Sequence, residues 1–417
     1  MILGLTSRRV LPAAVAVVLA CVAVAVASPV VRASSATSLH VYWGDLHAHT
    51  RYSTDARVMG ATNIPSQALE YARSTARLDF CAIIDHDYSL SKSLWTKTQD
   101  QVNDANDAGR FATLLGYEWT ESTDYGHKQV LFRSAKVPAE VFASFTRVGD
   151  ESSVRSTPQA LWSALAKYDC MTVPHTVAEG SGLSEDQHPS QNWDYVNARQ
   201  QTVVEVFSKH GANDVPGTIE AIKGLIAERT VEAALGRWLT TGDAGYQLGI
   251  VGGTDDHRGL PGSVTDHSPP ASDELPYGGA LTAVYAKKLT RTAIYDAIKG
   301  RYCYATSGPR IRLQFAATAD GASVRMGGFK TLSGPTSVTL TVNVKGDSAP
   351  IEKVEVIASG EVVATRTTGS FSLVWPVSSR TYFRIVAYQQ PTLGFEGEMV
   401  NERAWSSPIW FEVGAAR

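Results

Sequence analysis

The sequence is poor in cysteine, in surplus charge of either sign and in repetition. It holds four cysteines in 417 residues. Cys21 falls in the apolar start, and Cys81, Cys170 and Cys303 are odd in number and widely spaced, so no disulfide framework is expected. Cys81 and Cys170 lie in apolar runs and read as small core residues. The 38 Lys and Arg nearly balance the 41 Asp and Glu, leaving −3, which excludes the large basic footprint of a nucleic-acid binder. Charged residues make up 19% and apolar residues 44%. That composition is ordinary for a globular chain and excludes a disordered chain, a collagen-like chain and a coiled coil. No segment repeats at a fixed period, and no Gly-x-Ser-x-Gly elbow marks a nucleophilic serine.

The first 33 residues are of another kind. They carry Arg8, Arg9 and Arg32 and no acid, with an uncharged Ala/Val/Leu-rich stretch from Val10 to Val31. A basic start, an apolar run and small residues at the exit predict an export signal, cleaved after Ala27 or Ala33. An uncleaved anchor helix is the alternative, since the run nearly spans a bilayer; only then would the chain meet a membrane. Ser7-Arg8-Arg9-Val10-Leu11 also resembles a twin-arginine signal, the route of folded, cofactor-loaded proteins.

Beyond the leader, apolar runs alternate with helical stretches. Strands are predicted at Val41–Leu46, Phe80–Ile84, Thr113–Tyr117, Val130–Phe132, Met171–Pro174, Val203–Phe207, Leu248–Gly252 and Leu281–Tyr285. Helices are predicted at Pro65–Arg77, from Thr157 to about Tyr168, at Thr218–Leu239 (one long helix or a broken pair) and at Arg291–Lys299. Such alternation argues for a parallel α/β sheet or barrel over residues 38–310. From Arg312 the pattern turns to β-branched alternation with little helix, as at Ser337–Val344, Val354–Ile357, Phe371–Val374 and Tyr382–Val386. Residues 311–417 therefore read as a small antiparallel β-sandwich. Gly180–Asn192 and Pro261–Gly279 read as long polar loops, a common place for function.

Chemistry concentrates at the strand ends. Six of the ten histidines fall there, most with an acid nearby. Gly44-Asp45-Leu46-His47-Ala48-His49 puts two imidazoles two residues apart, on one face of a strand. Asp55 follows where the chain could fold back. Asp85-His86-Asp87, Gly116-Tyr117-Glu118, Gly126-His127, Pro174-His175 and Asp255-Asp256-His257 end or adjoin other apolar runs. Any one of these fits an ordinary turn or cap. Together they supply the imidazole and carboxylate donors that suit Zn, Mn or Fe. In a barrel the carboxyl ends of the strands converge on one face, where such residues meet.

On these motifs the chain resembles the PHP (polymerase and histidinol phosphatase) family of metal-dependent hydrolases, from about Tyr42 to Pro309. Tyr42-Trp43-Gly44-Asp45-Leu46-His47, Tyr304-Ala305-Thr306-Ser307-Gly308-Pro309-Arg310 and Ala404-Trp405-Ser406-Ser407-Pro408-Ile409-Trp410 resemble its exported branch, which includes carbaryl hydrolase. The resemblance implies a distorted (β/α)7 barrel holding two or three divalent ions. It implies His47, His49, Glu118 and Asp255 on one metal, Glu118, His127 and His175 on a second, and Asp55, His86 and His257 on a third. The position of Asp55 varies in the family. Divalent ions against three carboxylates leave the site positive, which suits an anionic substrate and an activated water.

The expected function is hydrolysis of a small-molecule ester, foremost a phosphate ester. The alternatives are a carbamate or carboxylic ester at the same site, or a non-catalytic metal- or carbohydrate-binding surface protein. Arg258 could clamp a phosphate or form a surface ion pair. His210 could protonate a leaving group or serve as a loop or capping residue. Glu205, Asp85 and Asp87 are candidates to orient ligand imidazoles, the two aspartates alternatively capping a helix. Trp95 and Trp193 could line an aromatic pocket or simply pack. His40, His188 and His267 read as loop residues.

Overall fold

Short apolar runs ending in acids and histidines form the strands of the first three hundred residues. The computed structural model describes residues 39–414 except 122–124, 146–153, 181–189, 219, 265–277, 394–398 and 401. The apolar leader, His188, His267 and most of the two long polar loops lie outside the described residues. β1 (His40–Asp45), β2 (Phe80–Ile83) and β3 (Ala112–Trp119) pair in parallel. β4 (Lys128–Phe132) and β5 (Cys170–Pro174) then continue the sheet antiparallel. The expected parallel sheet therefore holds only for part of the order, because the link from β3 to β4 is too short to carry a crossover helix.

β6 (Val203–Ser208), the two-residue β7 (Gly211–Ala212) and β8 (Gly249–Gly252) form a second sheet, with β6 and β8 parallel. Several contacts join it to the first, among them two hydrogen bonds between the Gly252 backbone and the Thr282 hydroxyl. Thr172 N–H donates to Gln200 O at 2.6 Å beside β5. A parallel bridge pairs Ala48, beyond β1, with Asp256, beyond β8. On the other side of β1 the sheet runs through β9 (Leu281–Ala286) and β10 (Cys303–Thr306), both antiparallel to their neighbours. All eight strands predicted in this half are present, with ends shifted by two residues or fewer. His40, expected in a loop, opens β1.

Helices α1 (Thr54–Val58), α2 (Pro65–Ser74), α3 (Lys92–Asp104), α4 (Pro158–Leu165), α5 (Val231–Thr241) and α6 (Arg291–Lys299) cover parts of the sheets. Proline opens α2, whose Ala68, Leu69 and Ala72 are buried. Thr157, Thr230 and Thr290 cap α4, α5 and α6, each hydroxyl accepting a backbone N–H three residues on. The helix expected over Thr218–Leu239 is reduced to α5 preceded by a short 3-10 turn. Its first part cannot coil, because Ala212 N–H donates to Glu220 O and Ile222 N–H to Ala212 O. Gly224 also adopts φ 65°, outside the helical region.

After Lys299 every described element is a strand. β11 (Arg312–Ala319), β12 (Ala322–Arg325), β13 (Phe329–Leu332), β14 (Thr336–Lys345), β15 (Ile351–Ala358) and β16 (Glu361–Arg366) come first. β17 (Ser370–Val377), β18 (Thr381–Gln389), the short pair β19 (Thr392–Leu393) and β20 (Met399–Val400), β21 (Arg403–Ser406) and β22 (Ile409–Val413) follow. β12-β11-β14-β17 form a separate antiparallel sheet. Along β11 and β14 buried and exposed residues alternate, turning Leu313, Phe315, Val338, Leu340 and Val342 inward. β13, β22, β18 and β21 instead extend the large sheet through the β21–β10 pairing. The protein is thus mixed α/β, mostly sheet with few helices, and part of its C-terminal strands share a sheet with β1–β5.

Trp95 and Trp193 are buried and donate their indole N–H to Pro138 O and Arg229 O, each at 2.8 Å. They pack in the core. The thiols of Cys81, Cys170 and Cys303 are free and buried.

Candidate metal centre

The topology collects the histidines at one edge of the sheets. His47 and His49 follow β1, Asp85 and His86 follow β2, and Glu118 lies near the end of β3. His175 follows β5, His210 follows β6, and Asp255 and His257 follow β8. His127 precedes β4, and β4 runs against β3, so its start lies at the same edge. Gly253 permits the closest approach, since a Cβ there would sit 2.5 Å from His47 Cβ and 2.8 Å from Glu205 Oε2.

Glu118 stands at the centre and is fully buried. Its Oε2 lies 3.4 Å from His47 Nε2, 3.3 Å from His49 Nε2 and 3.2 Å from His86 Nδ1. Its Oε1 faces the other way, 2.9 Å from His127 Nδ1 and 3.2 Å from His175 Nε2. Asp255 divides in the same manner. Oδ1 is 3.1 Å from His49 Nε2 and 3.3 Å from His47 Nε2, while Oδ2 is 3.1 Å from His210 Nε2. Asp55 Oδ2 joins His86 Nε2 at 2.7 Å and His257 Nε2 at 3.4 Å. The structure thus brings together all nine residues marked as ligands by the motifs.

Donor atoms of His47, His49 and Asp255 lie within 4.8 Å of one another, as do those of Glu118, His127 and His175, and of His49, His86 and His257. Two further sets include residues outside the nine: His210 with Asp255 and His257, and Glu205 with His47 and His175. Among the described residues, His127 Nε2 and His175 Nδ1 are buried without a hydrogen-bond partner. Buried polar atoms seldom stay unpaired, and imidazole with carboxylate is a donor set for Zn, Mn or Fe. The residues present fit such an ion.

The surrounding side chains fix the rings. Ser53 Oγ donates to Asp85 Oδ1 at 2.9 Å, so it accepts from His49 Nδ1 at 3.1 Å and leaves Nε2 facing Glu118 and Asp255. Glu205 Oε2 accepts from His47 Nδ1 at 3.1 Å and from Gln129 Nε2 at 2.6 Å. A carboxylate behind a ligand imidazole orients it and strengthens it as a donor. Asp85 thus acts on His49 through Ser53, whereas Asp87 accepts Ser144 N–H at 2.6 Å and buttresses a loop. Asp45 ties the ends of β1 and β8, accepting N–H groups from His47, Thr254 and Gly262. Asp255 itself sits at φ 53°, a strained position for a side chain of this kind. It is held by a 2.8 Å bond from its N–H to His47 O.

Three participants, Ser53, Gln129 and Lys209, were absent from the motifs. Ser53 and Gln129 contact the ligand rings directly, and Lys209 pairs with Asp256 beside them, 2.5 Å away. Gln129 stands two residues beyond His127 on β4, the same-face spacing that marked His47 and His49. The Arg258 guanidinium approaches Asp256 Oδ1 at 3.5 Å, forming an ion pair there.

Charge in the cluster is shared unequally. Burial, then His257 and His86, push His49 down to about 3, and burial with His47 lowers His175 to about 4. Burial opposes protonation of His47 and His86 too, but Asp255 and Glu205 raise the first and Glu118 and Asp55 the second, both well above the usual histidine range. Glu118 and Asp255 stay ionised in spite of burial, Glu118 through His86 and His175 and Asp255 through His47 and His210. A metal must displace the protons on His47 and His86, so its affinity climbs with pH. At pH 7 loading should release protons from the imidazoles held above their ordinary range, His47 and His86 together with His257, which, burial notwithstanding, Asp55 and Asp255 raise. Calorimetric titration in buffers of different ionisation enthalpy reads this release, and a buffer-independent heat would contradict it.

A mixed α/β protein with a buried cluster of histidines and carboxylates fit for metal is what fold and site define. The chain belongs to the family described as "Protein of unknown function (DUF3604)", which matches residues 36–88, 75–222 and 271–327, more than half its length. An uncharacterized protein of Chlamydia pneumoniae, CPj0512/CpB0533, is 24% identical over 393 residues, covering 90% of this chain and 58% of its own. An uncharacterized protein of Chlamydia trachomatis serovar D is 26% identical over 401 residues with the same coverage. The chain thus spans less than two thirds of the length of these relatives. Among solved structures, it is similar to a two-domain protein from Bacteroides vulgatus containing a predicted PHP-like metal-dependent phosphoesterase. The TM-score is 0.42 at 12% identity, covering 87% of this chain and 95% of that one.

Proposed function

We propose that this chain is an exported metal-dependent hydrolase of the PHP type, acting on small phosphate esters. The observation that carries this reading is the split of Glu118, whose two oxygens face two separate sets of imidazoles. A carboxylate so placed suits two ions a few ångströms apart, the arrangement of many phosphoryl-transfer centres. Bound divalent ions would supply Lewis acidity, an activated water and charge neutralisation.

The chain's own residues do the rest. His47, His49, Glu118 and Asp255 would hold one ion and Glu118, His127 and His175 a second. Asp55, His86 and His257 would hold a third. Glu205 and Ser53 keep a proton on the outer nitrogens of His47 and His49, so that Nε2 faces inward. His210, close to Asp255, would protonate a leaving group, and Arg258, next in sequence to His257, would clamp a phosphate. The circuit of β1–β6 and β8 supports a distorted (β/α)7 barrel over residues 38–310, and the core that the β12-β11-β14-β17 sheet shares with β15 and β18 supports 311–417 as a β-sandwich. Arg8 and Arg9 ahead of an uncharged stretch support export. Among the described residues no helix is long and apolar enough to cross a membrane.

One observation favours a second substrate. Tyr88 stacks on His86 at 4.8 Å and on Phe145 at 5.8 Å, and Phe145 is exposed. An aromatic row beside the ligands suits an aryl leaving group, which an aryl carbamate or carboxylic ester also carries. A panel on Mn²⁺- or Zn²⁺-loaded protein separates the readings: aryl phosphate monoester, diester, aryl acetate and aryl N-methylcarbamate, each with a chelator control. Chelator-sensitive cleavage of the phosphates is expected. Cleavage of the carbamate or acetate alone would replace phosphate as the substrate class. No cleavage by loaded protein would favour a metal-binding role without turnover.

A further inference from the structure

We propose that the C-terminal strands are a working part of the metal centre, positioning His210 and His175 through a buried ion cluster around Arg384. The proposal rests on the reading of the histidine–carboxylate cluster as a metal site. Arg384 lies on β18 and is 1% exposed. Its Nη2 is 2.9 Å from Asp214 Oδ1 and 2.5 Å from Glu232 Oε2, and its Nε donates to Glu232 Oε2 at 2.8 Å. The Tyr382 hydroxyl donates to Glu232 Oε1, and the Trp405 indole N–H to Asp214 Oδ2 at 3.0 Å. Three donors from β18 and β21 thus grip two carboxylates of the segment that follows β6.

That segment starts at His210. Asp214 is four residues on, and the backbone between is pinned by the β6–β7 pairing and by Asn213 N–H donating to Val206 O at 2.8 Å. Asn213 Oδ1 accepts Ala178 N–H at 3.0 Å, and Ala178 is three residues beyond His175. The Asn213 and Asp214 carbonyls accept the N–H groups of Val231 and Glu232 at 2.9 and 3.2 Å, which returns the path to the second carboxylate. A second clamp repeats the design: Arg403 of β21 pairs with Glu220, whose carbonyl accepts Ala212 N–H at 2.6 Å. An apolar plug of the same volume would stabilise this interface at least as well as buried charges do. Directional ion pairs fix geometry, and the geometry they fix here is that of two imidazoles facing Glu118 and Asp255.

The test is Co²⁺ binding to the full chain, read by affinity and by the visible d–d spectrum. Arg384→Met combined with Asp214→Asn and Glu232→Gln removes every charge of the cluster and strands none. Val342→Ala, in the core of the separate four-stranded sheet, is a control that destabilises without touching the path. The triple variant should bind Co²⁺ about tenfold more weakly or worse, with an altered spectrum. The control should lose melting temperature and keep both. Wild-type affinity and spectrum in the folded triple variant would overturn the proposal. Should circular dichroism show the triple variant unfolded, Asn213→Ala cuts only the link to Ala178 and leaves the ion cluster whole. A wild-type Co²⁺ spectrum there overturns the proposal equally. Failure of the wild-type chain to bind Co²⁺ defeats the metal-site reading, and this proposal with it.

Discussion

Glu118→Gln should cut turnover about a thousandfold and remove at least one ion from each chain. The change is nearly isosteric, so packing around β3 is kept. What is lost is the second anionic oxygen. A glutamine can offer one carbonyl oxygen to one set of imidazoles, but its amide would point two N–H donors at the other. Five imidazoles approach this carboxylate within 3.4 Å, and no other carboxylate reaches both His127 and His86 among the described residues. Metal content after gel filtration, measured beside kcat, checks the expectation. A variant that keeps its metal and its kcat would show that Glu118 is a structural acid.

Removal of metal should destabilise the protein by about 4 kcal/mol at an ion concentration a thousandfold above Kd. For a chain of this size that corresponds to a fall in Tm of about 5–10 °C. The physical source is local. Without an ion, His127 Nε2 and His175 Nδ1 are buried without a hydrogen-bond partner, and like charges on His47 and His86 lie in one cluster with His49 between them. Ions binding the folded state alone convert these costs into stability. Differential scanning calorimetry with and without chelator gives the number. An unchanged Tm, with metal content shown to have fallen, would mean that the cluster stands without ions.

The nine motif residues were legible because their chemistry is local: a His-x-His at a strand end or an acid after an apolar run needs no partner to be noticed. The strands were legible for the same reason, since four to eight apolar residues announce themselves. α3 was not, because Lys92–Asp104 is largely polar and shows the core only Trp95, Thr98 and Val102. The antiparallel turn of β4 and β5 was hidden, because direction is set by pairing rather than by composition. The same holds for β13, β18, β21 and β22, whose place in the large sheet depends on registers between segments far apart in the chain, such as Tyr304 with Ser406 and Phe329 with Trp410. Ser53 and Gln129 escaped notice as ordinary polar residues; only the folded chain shows which ring each touches. Lys209 and Asp256 are charged neighbours of His210 and Asp255, a signal visible in the sequence but not read as a pair.

The central claim is that Glu118 joins two ion positions, and anomalous diffraction from a Mn²⁺- or Zn²⁺-loaded crystal tests it most directly. The account predicts a strong peak bounded by His47, His49 and Asp255 and another by His127 and His175, about 3.5–4 Å apart and each in contact with one oxygen of Glu118, with the third position at Asp55, His86 and His257 giving a further peak where it is filled. A single peak, or peaks that leave Glu118 untouched, would contradict it.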